Sequence, residues 1–183
     1  MFRFKRKTSG EDLVLGLHST IVEASRRPSL YGDGGIPDTM EGRFEALVLH
    51  ALVVLRRLRQ LPHPADDVAQ ELVDALFAHL EIALREMGIG DFGVPKRMKK
   101  LAGAFFDRTA KYDPLIAAGD RSGLAAEIGE RLALEPVRFE AFAGLILASE
   151  AKFSGATLED LFAGPAFVEI NQPTSQATSG TRA

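Results

Sequence analysis

The segment from residue 40 to about residue 61 constrains the fold more than any other part of the chain. Asp38 or Thr39 is placed to cap a helix here, and Pro62 follows its end. The large apolar residues recur with helical spacing but fill more than one stripe; they are Phe44, Leu47, Val48, Ala51, Leu52, Leu55 and Leu58. A helix that is apolar on several sides must be covered on several sides, so the segment predicts a central helix.

Six further segments carry helical spacing of apolar residues, and most are bounded by proline or glycine. They predict helices at residues 11–27, 66–87, 94–112, 122–134, 136–148 and 157–163. No segment shows the alternation of apolar and polar residues that is typical of a strand. The 183 residues have the length of one domain. We therefore expect an all-α fold, a compact single-domain bundle of about six to eight helices without a sheet.

The two ends differ from the predicted helical domain, which spans residues 11–170. The first seven residues include four basic and no acidic side chains, and no apolar core of a secretion signal follows them. Residues 1–10 predict a basic, flexible segment that either frays or lies on an anionic membrane surface. Residues 171–183 lack periodic apolar residues and predict a disordered tail.

Composition excludes several classes of protein. The chain has no cysteine, which removes disulfides, thiolate metal ligands and cysteine nucleophiles. The longest apolar stretch, residues 46–55, is far shorter than the roughly 20 residues that span a bilayer. The formal net charge of −3 favours no general affinity for nucleic acid. We expect no secretion, no transmembrane helix and no nucleic-acid partner.

Recognisable catalytic and cofactor motifs are missing from the sequence. Residues 88–93 match the pattern GxGxxG, but dinucleotide binding needs a strand before that loop, and here a helix precedes it. A glycine hinge between two helices is the better interpretation. The four histidines, His18, His50, His63 and His79, lack the spacing of a metal site. We expect no enzyme activity, no cofactor and no bound metal.

Charge is segregated along the chain. Residues 94–112 carry six basic side chains and one acidic side chain, whereas residues 113–170 carry ten acidic and four basic ones. Lys96, Lys99 and Lys100 share one helix face. This basic face is either a solvated surface, partly neutralised by the acidic half, or a docking surface for anionic lipid or an acidic partner.

Three blocks of sequence carry a resemblance to a known family. Residues 31–45 read YGDGGIPDTMEGRFE, with Leu49 and His50 downstream, and residues 84–91 read LREMGIGD. The third block is PKRMKK at residues 95–100, followed by FFDR at residues 105–108 and Tyr112. In this order, over about residues 13–150, the blocks resemble the ubiquinol-cytochrome c chaperone family. Ile36 stands where that family usually has valine.

The residues that match the family pattern are expected to be mainly structural, because the family has no established catalytic residues. Some of Arg43, Arg85 and Arg108 are expected to pair with Glu45, Glu86 or Asp91 and so to fix how the second, third and fourth helices meet. The matching residues are Tyr31, Pro37, Asp38, Thr39, Arg43, Phe44, Glu45, His50, Arg85, Glu86, Gly88, Gly90, Asp91, Arg108 and Tyr112.

The resemblance implies a non-catalytic assembly chaperone for ubiquinol–cytochrome c reductase, respiratory complex III, that binds immature cytochrome b at a membrane surface. The implied partners are cytochrome b or another complex III subunit, with a second assembly factor as a further candidate. A compact bacterial member is expected in the cytoplasm or at the cytoplasmic face of the inner membrane. The oligomeric state stays open.

A partner-binding surface is predicted near the glycine hinge, where aromatic residues adjoin the basic face. The alternative is that these aromatic residues are all core. The predicted residues are Ile89, Phe92, Lys96, Arg97, Met98, Lys99, Lys100, Phe105 and Phe106. Two other functions stay open: a haem- or small-ligand-binding bundle with His50 or His79 as axial ligand, and a membrane-surface regulatory module.

Overall fold

Seven α-helices form the fold in a computed structural model that describes residues 10–31, 35–164 and 167–168. They are α1 (Gly10–Ser25), α2 (Met40–Gln60), α3 (Ala65–Glu86), α4 (Val94–Ala118), α5 (Arg121–Leu132), α6 (Glu140–Phe153) and α7 (Leu158–Phe162). Two 3-10 turns, Pro28–Leu30 and Pro136–Phe139, join some of them. The described ranges contain no strand, only an isolated bridge between Tyr31 and Ile36. The all-α prediction is confirmed.

Most of the two terminal segments singled out in the sequence lies outside the described residues. Gly10 is the exception, because it begins α1. Among the described helices, none combines the length and the apolar character needed to cross a bilayer.

Helix α2 lies at the centre of the fold. Every residue from Phe44 to Leu55 is buried, and the helix packs against α1, α3, α4 and α6. Thr39 caps its start, since the Gly42 N–H donates to the Thr39 hydroxyl oxygen at 3.1 Å. Burial around the whole circumference explains why apolar residues fill more than one stripe. The prediction of a central helix is confirmed.

Two helices, α4 and α6, have boundaries that differ from the predicted ones by more than two residues. Helix α4 runs past Tyr112 and through Pro114 to Ala118, because Ile116 continues its buried face and Gly119, with φ of 65°, ends it. Helix α6 starts at Glu140, after the 3-10 turn, and reaches Phe153, whose ring is buried. In both cases burial of an apolar residue carries the helix past the predicted end.

The loop before α2 packs directly on the first turn of that helix. The Ile36 N–H donates to the Leu30 carbonyl at 2.9 Å, which places Ile36 in the core. A Cβ atom added to Gly42 would lie 2.1 Å from the Pro37 carbonyl oxygen and 2.9 Å from Ile36 Cγ2. Only glycine allows the loop to approach this closely.

Gly42→Ala is therefore expected to destabilise the protein by about 1–3 kcal/mol, the usual cost of overpacking. Gly103→Ala is the matched control, since a Cβ there meets no atom within 4 Å on the exposed side of α4. It is expected to raise stability by about 0.5–1 kcal/mol through helix propensity. Urea denaturation measures both changes, and equal midpoints for the two variants would contradict the close approach.

Candidate functional site

A cavity of about 520 Å³ opens between α1, α2 and α3, and α4 contributes Leu101 to its wall. Small-molecule and side-chain pockets in proteins typically measure about 300–1,000 Å³ and are mostly apolar. Apolar side chains make up most of the lining, and polar side chains, most of them exposed, stand at the mouth. The apolar members include Val22, Phe44, Leu47, Leu80 and Leu84; the polar members include Arg26, Asp38, Arg43, His79 and Glu86.

The first sequence block forms one wall of this cavity. The Tyr31 hydroxyl donates to the Ser25 carbonyl at 2.5 Å and ties the loop to the end of α1. Arg43 donates through two nitrogens to Asp38, at 2.6 Å and 3.2 Å, across the start of α2. This guanidinium holds the pKa of the Asp38 carboxyl below its usual range. The mouth of the cavity therefore carries a fixed, exposed ion pair.

The second block extends the lining of the cavity to the end of α3. Glu86 and Met87 line the cavity, and Gly88, with φ of 79°, ends the helix. Arg85 donates to Asp91 at 2.5 Å and to Glu81 at 2.8 Å, so the predicted pairing of Arg85 with Asp91 is confirmed. Within the described residues, Glu86 pairs with none of the three arginines proposed for it.

The third block contributes a buried polar network behind the cavity wall. Glu45 of α2 has no solvent exposure; it accepts from Arg108 Nε at 2.8 Å and from the Tyr112 hydroxyl. Burial and the neighbouring carboxylate raise the pKa of Tyr112, which keeps its hydroxyl a donor. The Arg108 guanidinium also lies 5.1 Å from the ring centroid of Phe44, which lines the cavity.

This network contains one of the expected ion pairs. Arg108 pairs with Glu45 across α4 and α2, as expected. Together with the Arg85–Asp91 pair, this confirms that some of the three arginines make the expected pairings, whereas Arg43 makes none of them. Arg43 is exposed on the first turn of α2, so its side chain reaches back to Asp38.

Glu45→Ala is expected to lower the free energy of unfolding by about 3–5 kcal/mol, because it leaves the mostly buried Arg108 without its carboxylate. Asp38→Ala removes an exposed carboxylate from the same block and is expected to leave the denaturation midpoint almost unchanged. Guanidinium denaturation compares the two variants. A small effect of Glu45→Ala would show that the network does not hold α4 against α2.

His50 is a core residue. Its Nδ1 lies 2.7 Å from the Ala46 carbonyl oxygen, and its ring packs against Phe142 and Phe167, with centroids 6.0 Å and 4.9 Å away. Burial lowers the pKa of His50 to about 4, against the opposing effect of the Ala46 carbonyl. His50 does not line the cavity, so it offers no haem ligand there.

His79 does line the cavity, but its Nε2 is engaged. Arg26 Nη2 lies 3.2 Å from that nitrogen, and a guanidinium can only donate, so Nε2 is the acceptor. The His18 ring stacks edge-on against His79 with centroids 5.1 Å apart. Burial, with Arg26 nearby, lowers the pKa of both histidines. Using His79 as an axial ligand would require breaking the bond to Arg26.

The free energy of unfolding is expected to fall as the pH drops from 7 to 4. His50 has a lower pKa in the folded protein than in the unfolded chain, so the unfolded chain takes up the proton first. This residue alone accounts for about 3 kcal/mol over that range, at about 1.4 kcal/mol per pH unit.

Denaturation series at pH 7, 6, 5 and 4 measure this dependence. His50→Leu is expected to flatten it, leaving the smaller contribution of His18 and His79, which acts in the same direction. His63→Ala is the control at an exposed position and is expected to keep the full slope. An unchanged slope in His50→Leu would contradict the assignment.

One group of potential metal ligands lies at the start of α3. Ligand atoms of His63, Asp66 and Asp67 come within 4.8 Å of one another, and all three side chains are exposed. None of them lines the cavity. The two carboxylates occupy the first turn of α3, where they complement the helix dipole.

The residues predicted to bind a partner divide among three environments. Ile89, Lys96, Arg97 and Lys100 line a shallow hollow of about 780 Å³ beside the glycine hinge. Phe92, Lys99 and Phe106 are exposed and Met98 is half-buried. Phe105 lies in the core, with its ring centroid 5.4 Å from that of Phe77.

Sequence reasoning missed the cavity itself. Its walls come from four helices and a loop, so no single window of sequence contains them. Val22, Leu47 and Leu80 were recognisable only as ordinary apolar positions. Several residues of the first two sequence blocks do line the cavity. The sequence shows that these residues match a family pattern, but only the tertiary structure shows that they surround one opening.

Comparison with known proteins places these features in a family. Residues 33–167 match the family described as ubiquinol-cytochrome C chaperone. The structure is similar to the crystal structure of the Cbp3 homologue from Brucella abortus, with 34% sequence identity and a TM-score of 0.78. That similarity covers 91% of this chain and 94% of the other. None of the curated proteins compared with the chain matches it.

Proposed function

We propose, because the chain belongs to the ubiquinol-cytochrome c chaperone family, that it assists assembly of respiratory complex III by holding immature cytochrome b. Family membership supports a role in complex III assembly and suggests that this role is not enzymatic. The observation that carries the finer proposal is the position of the cavity, since the first two blocks line an apolar opening of about 520 Å³.

The chemistry of the cavity suits an apolar segment with a polar edge. Phe44, Leu47 and Leu80 offer surface that gains from contact with apolar side chains. Charged groups at the mouth, such as the Asp38–Arg43 pair and Glu86, hold the polar edge of such a segment in position. An amphipathic helix laid into a groove is recognised in this way.

Cytochrome b fits this description as a client, since its apolar helices are unpaired until its partner subunits arrive. Holding one such segment delays its aggregation without any chemical step. We place the protein in the cytoplasm, at the cytoplasmic face of the inner membrane of a bacterium. Another complex III subunit or a second assembly factor is the alternative partner.

Ala83→Trp is expected to reduce capture of cytochrome b about tenfold or more, a loss of roughly 1.4 kcal/mol of binding free energy. Ala83 lines the cavity, so an indole there occupies the space that a client side chain needs. The measurement is a pull-down from detergent-solubilised membranes, with cytochrome b quantified by its haem absorbance and by immunoblot.

Ala78→Trp is the matched control, because Ala78 is exposed on the same helix and does not line the cavity. It is expected to capture cytochrome b as the unaltered protein does, and thermal melting checks that both variants fold. Full capture by Ala83→Trp would refute the cavity as the client site. Capture of another complex III subunit alone would overturn cytochrome b as the client.

A further inference from the structure

We propose that the hinge tip, defined as residues 87–100, docks on an anionic lipid bilayer with the Phe92 ring inserted among the headgroups. This inference goes beyond the client-binding proposal, because its partner is lipid rather than protein. It rests on the exposure, charge and shape of the connection between α3 and α4.

The apolar part of the hinge tip is unusually open to solvent. Phe92 is fully exposed on the turn between the two helices, and Met87 exposes about half of its surface. Ile82, one and a half turns earlier on α3, is similarly exposed. Phe92 stands on a turn between two helices instead of inside a groove. A ring presented in this way suits insertion into a flat, soft surface.

The charged part of the hinge tip is uncompensated. Lys96, Arg97, Lys99 and Lys100 are all exposed, and none of their side chains makes a hydrogen bond or ion pair with another described residue. The nearby Asp91 is already paired with Arg85. A positive surface therefore flanks the exposed ring, although the whole chain has a formal net charge of −3.

These cations do not stabilise the helix that carries them. Helix α4 has no acidic residue in its first turn, and Gly93 caps it without a side-chain hydrogen bond. Lys96 and Arg97 lie at the end of a helix where the backbone dipole is already positive, and cations there are unfavourable. An anionic surface in front of Lys96 and Arg97 would offset this unfavourable interaction with the helix dipole.

An anionic bilayer fits this surface better than a folded protein partner. Lysines without fixed partners act as mobile point charges, which suit the phosphate groups of a fluid bilayer. A basic side chain near such a surface strengthens binding about fivefold. Met87 lines both the hollow at the hinge tip and the client cavity, so docking would bring the cavity mouth to the membrane.

Sedimentation with vesicles tests the proposal on the full chain. The protein is expected to bind vesicles of phosphatidylcholine with phosphatidylglycerol and not vesicles of phosphatidylcholine alone. Lys96→Gln combined with Lys100→Gln is expected to weaken binding about 25-fold, and Phe92→Ser about fivefold. Raising the salt concentration is expected to weaken binding of the unaltered protein.

Matched controls change the same residue types elsewhere. Lys111→Gln combined with Lys152→Gln removes two exposed cations, and Val137→Ser removes an exposed apolar side chain. Both are expected to bind vesicles as the unaltered protein does. A chain lacking residues 1–7 separates any contribution of the basic start, and it is expected to retain the dependence on Lys96 and Lys100.

Three results would overturn the proposal. They are equal losses of vesicle binding in the control variants, vesicle binding that is the same with and without phosphatidylglycerol, and vesicle binding that depends only on residues 1–7. Loss of cytochrome b capture by Phe92→Ser with intact vesicle binding would assign the hinge tip to a protein partner instead. The vesicles contain no protein, so failure of this test leaves the capture result for Ala83→Trp unaffected, and the two proposals fail separately.

Discussion

A carboxylate with no solvent exposure, Glu45, decides how α4 lies against α2. A buried charge costs several kcal/mol unless it is paired and hydrogen-bonded. Arg108 and Tyr112 stand one helical turn apart on α4, so both reach Glu45 only when that face of α4 turns toward α2. Apolar burial alone would tolerate small rotations of the helix, because it has no direction. The same interaction holds Phe44, and with it one wall of the cavity.

Two arginines at the other end of α2 add further directional contacts. Arg56 is largely buried and donates to Asp113 of α4 at 2.5 Å and to Glu150 of α6 at 3.3 Å. Arg57 donates to the Ala156 carbonyl at 2.6 Å, in the loop before α7. The central helix thus supplies more buried apolar residues than any other described helix and also the polar bonds that orient its neighbours. Its first half positions the cavity, and its second half positions the C-terminal helices.

The sequence predicts the helices well because each helix depends on local spacing and caps, as in α2 with Thr39. The predicted helix boundaries are wrong where tertiary burial outweighs a local helix-breaking residue, as at Pro114, which lies inside α4. The resemblance led to the Arg108–Glu45 pair, although 63 residues separate the two. The resemblance did not lead to the partner of Arg43. The loop before α2 folds back onto that helix, and this contact depends on the close approach at Gly42. The cavity exists only once four helices converge, so no local pattern encodes it.

In the two proposals, apolar surface binds the client and charge binds the membrane, in neighbouring parts of the molecule. The cavity is mostly apolar and its exposed Asp38–Arg43 pair is internally neutral, so long-range attraction contributes little to what enters it. The hinge tip carries unpaired cations, and none of the acidic residues of α5–α7 lines the hollow beside it. In the proposed docking, an anionic surface attracts the hinge tip and repels the acidic residues of α5–α7, which orients the molecule before any contact forms. An apolar client emerging from a membrane would then meet the cavity mouth at Met87, next to the surface that had oriented it.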